Sequence, residues 1–307
     1  MKILIVGAGG IGGYFGARLI QIGADVTYLL REKRQKLIQE KGLSIETPKG
    51  NFVVHPQTVR AEALQPIYDL IILAPKAYDL ADSLQSIAKA SSRGVILPFL
   101  NGLTHLQTLD QAFGKSRVMG GVAHIGAMIT ESGSIKQLTD LNVLTVGHRS
   151  DAHKELAQKF HQICNEAEFK NIYSDNIEQG LWDKWVLLAT LAGMTTVTRG
   201  NVGQITASPY GKTLTEQMYQ ECCAIAKAYQ FPITDSAQTK ALELLTQKDS
   251  SFSASMLRDL NSHHPTEHEH VLGELIRLGD QHAVQSDLLK LAYIHMNVEE
   301  KIGRMNS

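Results

Sequence analysis

Hydrophobic and polar positions change period twice within the first thirty residues. Lys2 is followed by Ile3-Leu4-Ile5-Val6, an unbroken apolar run that predicts a buried strand, and Gly7-Ala8-Gly9-Gly10-Ile11-Gly12 closes it. Tyr14-Phe15-Gly16-Ala17-Arg18-Leu19 then resumes at helical spacing, with Ile20 and Ile22 before a stop at Gly23. Asp25 to Leu30 reads as a second strand ending at Arg31. Leu43–Thr47 and Asn51–Val54, with Pro48-Lys49-Gly50 between them, predict a hairpin at a sheet edge.

Further apolar strands are expected at 69–74, 94–100, 119–126, 141–147 and 170–173, with helical patterns at 80–90, 103–113 and 151–167. From Ile177 onward strand signals cease and the pattern is helical. This alternation predicts an α/β chain. Residues 1–175 would form a Rossmann-type dinucleotide-binding domain with a doubly wound sheet, and residues 176–307 an all-helical domain for substrate and catalysis. There is no internal repeat and no low-complexity linker between the halves.

The strand, glycine turn and helix at the start carry the first chemical signal. Gly7 permits the sharp turn, Gly9 lets backbone approach a pyrophosphate, and Gly12 lets the helix pack on its strand. Ala8, Gly10 and Ile11 complete a loop whose helix N-terminus offers N–H groups and a positive dipole end to phosphates. At the end of the second strand an acidic residue would bind the ribose of NAD. Arg31 stands there instead and suits the 2′-phosphate of NADP, with Arg34 or Lys36 as weaker candidates for helpers. Lys76 and Asn101 lie just past strand ends, where open parallel sheets bind ligands.

Length and charge narrow the partners. A chain of 307 residues with formal net charge −1 has room for two cores but no basic field for nucleic acid, so a small molecule is the expected partner. The three cysteines, Cys164, Cys222 and Cys223, are odd in number with two adjacent; they imply no disulfide framework and fit a reducing, cytoplasmic setting. The apolar stretch from Trp185 to Met194 is far shorter than the ~20 residues that span a bilayer, so no membrane is expected.

In the second half, Leu181 to Met194 is an apolar helix with Lys184 in its first turns. Burial disfavours an ammonium and moves a lysine toward neutrality, where it can give up a proton; the competing reading is a lysine that snorkels to solvent.

The glycine loop, Arg31, Leu73-Ala74-Pro75-Lys76-Ala77, Asn101-Gly102, Trp182-x-Lys184, and Ser255-Met256-Leu257-Arg258-Asp259 with Pro265-Thr266-Glu267 occur together. Nearly the whole chain thus resembles the ketopantoate reductase family, which reduces 2-dehydropantoate with NADPH. The resemblance implies that Lys184 is the proton donor, Glu267 the carboxylate that helps set the site and Ser255 a hydroxyl that binds substrate. It also implies that Lys76, Asn101 and Gly126 line the cofactor. The family carries asparagines at the positions of Leu188, Ala192 and Val202. Residues 184, 188 and 192 share one helical face, so the wall beside the donor has lost its amides and the substrate is open to change. Arg199 falls near the same stripe if the helix persists through Thr195 to Thr198, a segment that reads as a fraying end.

Other readings stay in view. The substrate could be a less polar keto acid, or a related hydroxy acid or imine; a non-catalytic NADP-binding sensor is also compatible with the lost asparagines. The histidines from His263 to His270 lack metal-ligand spacing and read as a solvated helix cap beginning at Pro265, so no metal is expected. Cys222 and Cys223 read as packing residues. A homodimer paired through the helical half is left open, since no residue in the sequence demonstrates it.

Overall fold

The computed structural model describes residues 1–88 and 90–305. The chain divides into two compact units. Residues 1–100 and 105–178 form one, and 101–104 with 179–307 form the other. The division falls after Glu178, in the first turn of the helix that begins at Ile177, whereas the sequence pattern places a boundary near Asp175.

The first unit contains, in chain order, β1 (Lys2–Val6), α1 (Gly10–Gln21), β2 (Asp25–Leu29), α2 (Glu32–Lys41), β3 (Leu43–Glu46), β4 (Phe52–Val54), β5 (Gln57–Val59) and β6 (Leu70–Leu73). It continues with α3 (Leu80–Ile87), β7 (Val95–Pro98), α4 (His105–Phe113), β8 (Gly120–Ile129), β9 (Ile135–Gly147), α5 (Lys154–Cys164) and β10 (Lys170–Tyr173). Strands β5-β2-β1-β6-β7 make one wholly parallel sheet in that order. The Rossmann-type expectation holds there. Strands β10-β9-β3-β4, with β8 against β9, form a second, mixed sheet.

Helix α1 is buried continuously from Gly12 to Leu19, because both sheets claim it. A Cβ on Gly12 would strike the Gly7 carbonyl and side chains of Ile5 and Ala74, while one on Gly13 would come within 2.8 Å of Ile135 of β9. Glycine at both positions lets backbone pack directly against each layer. Beneath the helix, the buried Tyr28 hydroxyl donates to the carbonyls of Gly12 and Gly13 at 3.0 and 3.2 Å. The surrounding core joins Ile3, Ile5 and Leu97 of the parallel sheet with Ile45, Leu144 and Phe160.

The second unit is helical: α6 (Ile177–Thr198), α7 (Val202–Ala207), α8 (Gly211–Ala228), α9 (Asp235–Leu245), α10 (Ser255–Asn261), α11 (Glu274–Gln281) and α12 (Asp287–Met305). Trp185, Val186 and Ala189 of α6 meet Tyr219, Cys222 and Ile225 of α8 and Leu289, Ala292 and Met296 of α12 in one core. The threonine run does not fray. Thr195, Thr196 and Thr198 each donate a hydroxyl to the carbonyl four residues earlier, so these side chains stay on their own helix. The helix ends at Arg199, whose φ of 55° is left-handed, and an Asn201/Gln204 capping box starts α7. Among the described residues no helix is long and apolar enough to cross a membrane.

Candidate active site

The glycine loop presents a shaped absence of side chains. Gly7 has a φ of +90°, and Gly9, extended at the N-cap of α1, has no side-chain cap; a Cβ added there would meet nothing within 4 Å. Behind it the space is filled, since a Cβ on Gly10 would lie 2.8 Å from the Ala127 carbonyl oxygen. The loop is therefore closed toward the protein and open at Gly9, above the first N–H groups of a twelve-residue helix. That fits a dinucleotide pyrophosphate held by Gly9, Gly10, Ile11 and Gly12.

Two arginines flank this loop in different ways. Arg31 follows β2 as expected and is exposed, but its guanidinium donates to Asp79 at 2.9 Å, with Asp82 at 3.7 Å. Those carboxylates hold the Arg31 pKa above its ordinary value. Arg34 is half-buried, and burial lowers its pKa. It donates to the Ala8 carbonyl at 3.1 Å and the Gly133 carbonyl at 2.6 Å, tying the glycine loop to the β8–β9 turn. The sequence pattern ranked Arg34 as a minor helper; its bond to the loop depends on a turn 99 residues away. Lys76 is half-buried at the start of the turn after β6. Gly126, expected to end its strand, sits instead at a register shift within β8, next to the Ala127 carbonyl that faces Gly10.

In the helical unit, Lys184 is 9% exposed on α6 and Glu267 is 6% exposed. Burial pushes the Lys184 pKa down to about 8, while the Glu267 carboxylate pulls in the opposite direction. The snorkelling alternative is thus set aside: the ammonium is held inside, near a carboxylate. Asn101 donates its amide N–H to Glu267 Oε2 at 3.2 Å, although the two are 166 residues apart in sequence. Trp185, next to the lysine, donates its indole N–H to the Val271 carbonyl at 2.9 Å. That carbonyl belongs to a π-helical turn, Glu269–Gly273, which begins two residues after Glu267. Gly102, with φ +79°, brings the Asn101 segment against this turn, where a Cβ would lie 3.0 Å from the His270 carbonyl oxygen. The result is a buried ammonium, a carboxylate and an amide N–H donor in one network, suited to delivering a proton where negative charge develops.

This geometry accords with what known proteins resemble the chain. Residues 3–151 match the family described as ketopantoate reductase PanE/ApbA, and residues 176–299 match the C-terminal part of the same family. The chain belongs to the ketopantoate reductase family. It is an oxidoreductase of that family, whose members use a nicotinamide cofactor. It is 30% identical over 301 residues to the uncharacterized oxidoreductase YkpB of Bacillus subtilis, covering 98% of this chain and 99% of that protein. To a 2-dehydropantoate 2-reductase of Pyrococcus abyssi it is 27% identical, over 90% of each chain. A solved D-mandelate dehydrogenase, in a ternary structure with NADH and anilino(oxo)acetate, shares the fold with a TM-score of 0.89 at 21% identity, covering 99% of this chain and 100% of that one.

Against the family pattern, the remaining site residues divide. Leu188, one turn beyond Lys184, is half-buried, whereas Ala192 and Val202 are 3% and 2% exposed in the helical core. Ser255 is exposed as the first residue of α10. Arg199 is engaged elsewhere, with Glu299 at 2.6 Å and Asn261 at 3.1 Å. The histidine cap needs correction. His268 is buried, bonded to the Thr266 hydroxyl at 2.8 Å and 3.7 Å from Glu300, and helical structure starts at His268 rather than Pro265. A solvated histidine would not have had its pKa lowered by burial as His268 has. Among the described residues no cluster of three or more His, Cys, Asp or Glu could hold a metal ion.

Proposed function

We propose that this ketopantoate reductase family member reduces a 2-keto acid to the 2-hydroxy acid with NADPH, and that Lys184 is the proton donor. The observation that carries the reading is the buried Lys184 ammonium beside Glu267, with Asn101 donating to that carboxylate at 3.2 Å. Bound NADPH would supply the hydride, its pyrophosphate held by residues Gly7 to Gly12, its 2′-phosphate met by Arg31, and Lys76, Asn101 and Gly126 lining the rest. As the keto carbon is reduced, its oxygen gains charge, and Lys184 Nζ stabilises and then protonates the alkoxide. A pKa of about 8 leaves the amine charged at neutral pH yet willing to release its proton. Glu267 keeps the ammonium oriented, and the Asn101 amide fixes the carboxylate. The exposed Ser255 hydroxyl offers a hydrogen bond to the substrate. Two copies would form the working assembly.

2-Dehydropantoate is the reference substrate, and one observation favours a less polar keto acid. Leu188, partly exposed and one turn from Lys184, presents hydrocarbon where the family's asparagine would bind hydroxyl groups. D-mandelate dehydrogenase, with which the chain shares its fold, acts on an acid with an aromatic side chain, and an apolar wall suits such a group.

Steady-state oxidation of NADPH with a panel comprising 2-dehydropantoate, 2-ketoisovalerate and phenylglyoxylate tests both statements. Turnover of at least one is expected, with kcat/KM higher for the apolar members. Tight NADPH binding without turnover of any 2-keto acid would favour a cofactor sensor and contradict the proposal.

A further inference from the structure

Three cations around the end of β2 are matched by carboxylates. Arg31 meets Asp79, Lys36 meets Glu32 at 2.7 Å, and Arg60 meets Glu32 at 3.4 Å and Glu62 at 3.3 Å. Arg34, in the first turn of α2, differs: among the described residues its guanidinium bonds two neutral carbonyls and no carboxylate, and its Nε is buried without a hydrogen-bond partner. A half-buried charge held on such terms costs stability, because two carbonyl bonds return only part of the lost hydration. What it gains is a fixed place behind the glycine loop.

That loop has little of its own to hold it. Gly7, Gly9 and Gly10 contribute no side chains, and glycine backbone is the freest to move. Arg34 takes the carbonyl of Ala8, in the middle of this stretch, and ties it to the carbonyl of Gly133 in the β8–β9 turn. The turn is itself closed. Gly133 N–H donates to the Thr130 carbonyl at 2.9 Å, Thr130 N–H to the Ser134 carbonyl at 2.8 Å, and Ser134 N–H to the Thr130 hydroxyl at 3.1 Å. Gly133 has a φ of +87°, and a Cβ there would lie 2.9 Å from Arg34 Nη1 and 2.5 Å from Leu37 Cδ2. A side chain at 133 would therefore displace the arginine. The same hairpin backs the loop at Gly10 through the Ala127 carbonyl and at Gly13 through Ile135.

We infer that Arg34 is a positioning residue for the cofactor, and that through it the turn at Gly133, which holds no part of the cofactor, sets affinity for the dinucleotide pyrophosphate. The inference rests on the reading of residues 7–12 as the pyrophosphate loop. An ordered loop loses less freedom on binding, and the unneutralised guanidinium adds to the positive end of α1. The pyrophosphate is common to both cofactors, so the effect falls on NADPH and NADH alike, unlike one exerted through Arg31.

Two measurements on the full chain test this, with circular dichroism as a control for folding. Hydrogen exchange without cofactor is expected to show faster exchange at residues 7–13 in Arg34→Met than in the wild type. Fluorescence titration is expected to give Kd values about tenfold higher for both NADPH and NADH in Arg34→Met and in Gly133→Ala, with Arg34→Lys between Arg34→Met and the wild type. The Arg34→Met/Gly133→Ala double variant is expected to bind no more weakly than the weaker single one, because both changes break the same link. Unchanged exchange in Arg34→Met would refute the link to the loop. Unchanged affinity, a loss confined to NADPH, or multiplying effects in the double variant would refute the positioning role. A wild type that binds neither cofactor would instead refute the pyrophosphate reading itself, and the inference with it.

Discussion

Arg31 and Asp79 are joined by a 2.9 Å ion pair at the end of β2, so the guanidinium expected to receive a cofactor phosphate already has an acidic partner. Asp82 adds a second negative charge at 3.7 Å. A 2′-phosphate arriving at Arg31 would share the guanidinium with these carboxylates and be repelled by them, whereas NADH carries no group that competes. If Arg31 receives the phosphate as proposed, Asp79 and Asp82 are a built-in counterweight to it. Asp79→Asn is expected to tighten NADPH binding about three- to tenfold and to change NADH binding much less, as read by fluorescence titration. Equal changes for both cofactors would show that Arg31 does not receive the phosphate.

Leu188, proposed to line the substrate, is partly accessible, whereas Ala192 and Val202 are built into the core. Leu188→Asn is therefore the change that restores the family's amide with the smallest disturbance to packing. It is expected to raise kcat/KM for 2-dehydropantoate relative to phenylglyoxylate by about tenfold, since a hydroxyl would gain a partner and an aromatic group would lose apolar contact. An unchanged ratio would remove Leu188 from the substrate wall.

How much of this could be read from the sequence depends on the distance over which each feature is determined. The glycine loop, the place of Arg31 and the helix bearing Lys184 are local, and each is recognisable from a few consecutive residues. The second sheet is not. Its longest pair, β8 with β9, carries exposed apolar residues such as Met128, Ile129 and Leu141 in its outer part, which blurs the alternation that marks a strand. The bulge at Gly126 exists only because β9 is there to pair with. Asn101 looked like a loop residue of the dinucleotide-binding half, yet its bond to Glu267 spans 166 positions. His268 departs from the sequence pattern because a cluster of histidines beside a proline resembles a solvated cap, whereas contacts with the distant Tyr293 and Glu300 hold it inside.

Glu274, at the start of α11, offers a check on the helical unit that is independent of catalysis. Burial pushes its pKa up to about 7, outweighing Arg277, and Oε2 is buried with no hydrogen-bond partner. Between the unfolded value of 4.5 and 7 the folded chain holds the extra proton, so this group lowers stability as pH rises through that window. Glu274→Gln is expected to raise stability by about 1–2 kcal/mol near pH 8 and by almost nothing near pH 4, measured by thermal or urea unfolding. A gain independent of pH would mean that the carboxylate is not the source of the penalty.

Delivery of the proton by Lys184, as proposed, carries its own pH dependence. With a pKa of about 8, the ammonium form needed for reduction is lost as pH rises through that value. The rate of 2-keto acid reduction should therefore fall above about pH 8, and oxidation of the hydroxy acid should rise over the same range. Lys184→Met should lower kcat by about 10²- to 10⁴-fold. The folded pKa lies below the unfolded value of 10.5, so burying this charge costs stability in full below about pH 8, a cost relieved as pH rises toward 10.5. The same variant should therefore be more heat-stable than the wild type at neutral pH, which separates loss of a proton donor from loss of the fold. The decisive measurement is the pH profile of kcat for reduction in the wild type and in Lys184→Met. A descending limb near pH 8, absent from a folded and nearly inactive variant, is expected; a flat wild-type profile, or a variant with wild-type turnover, would rule out Lys184 as the proton donor.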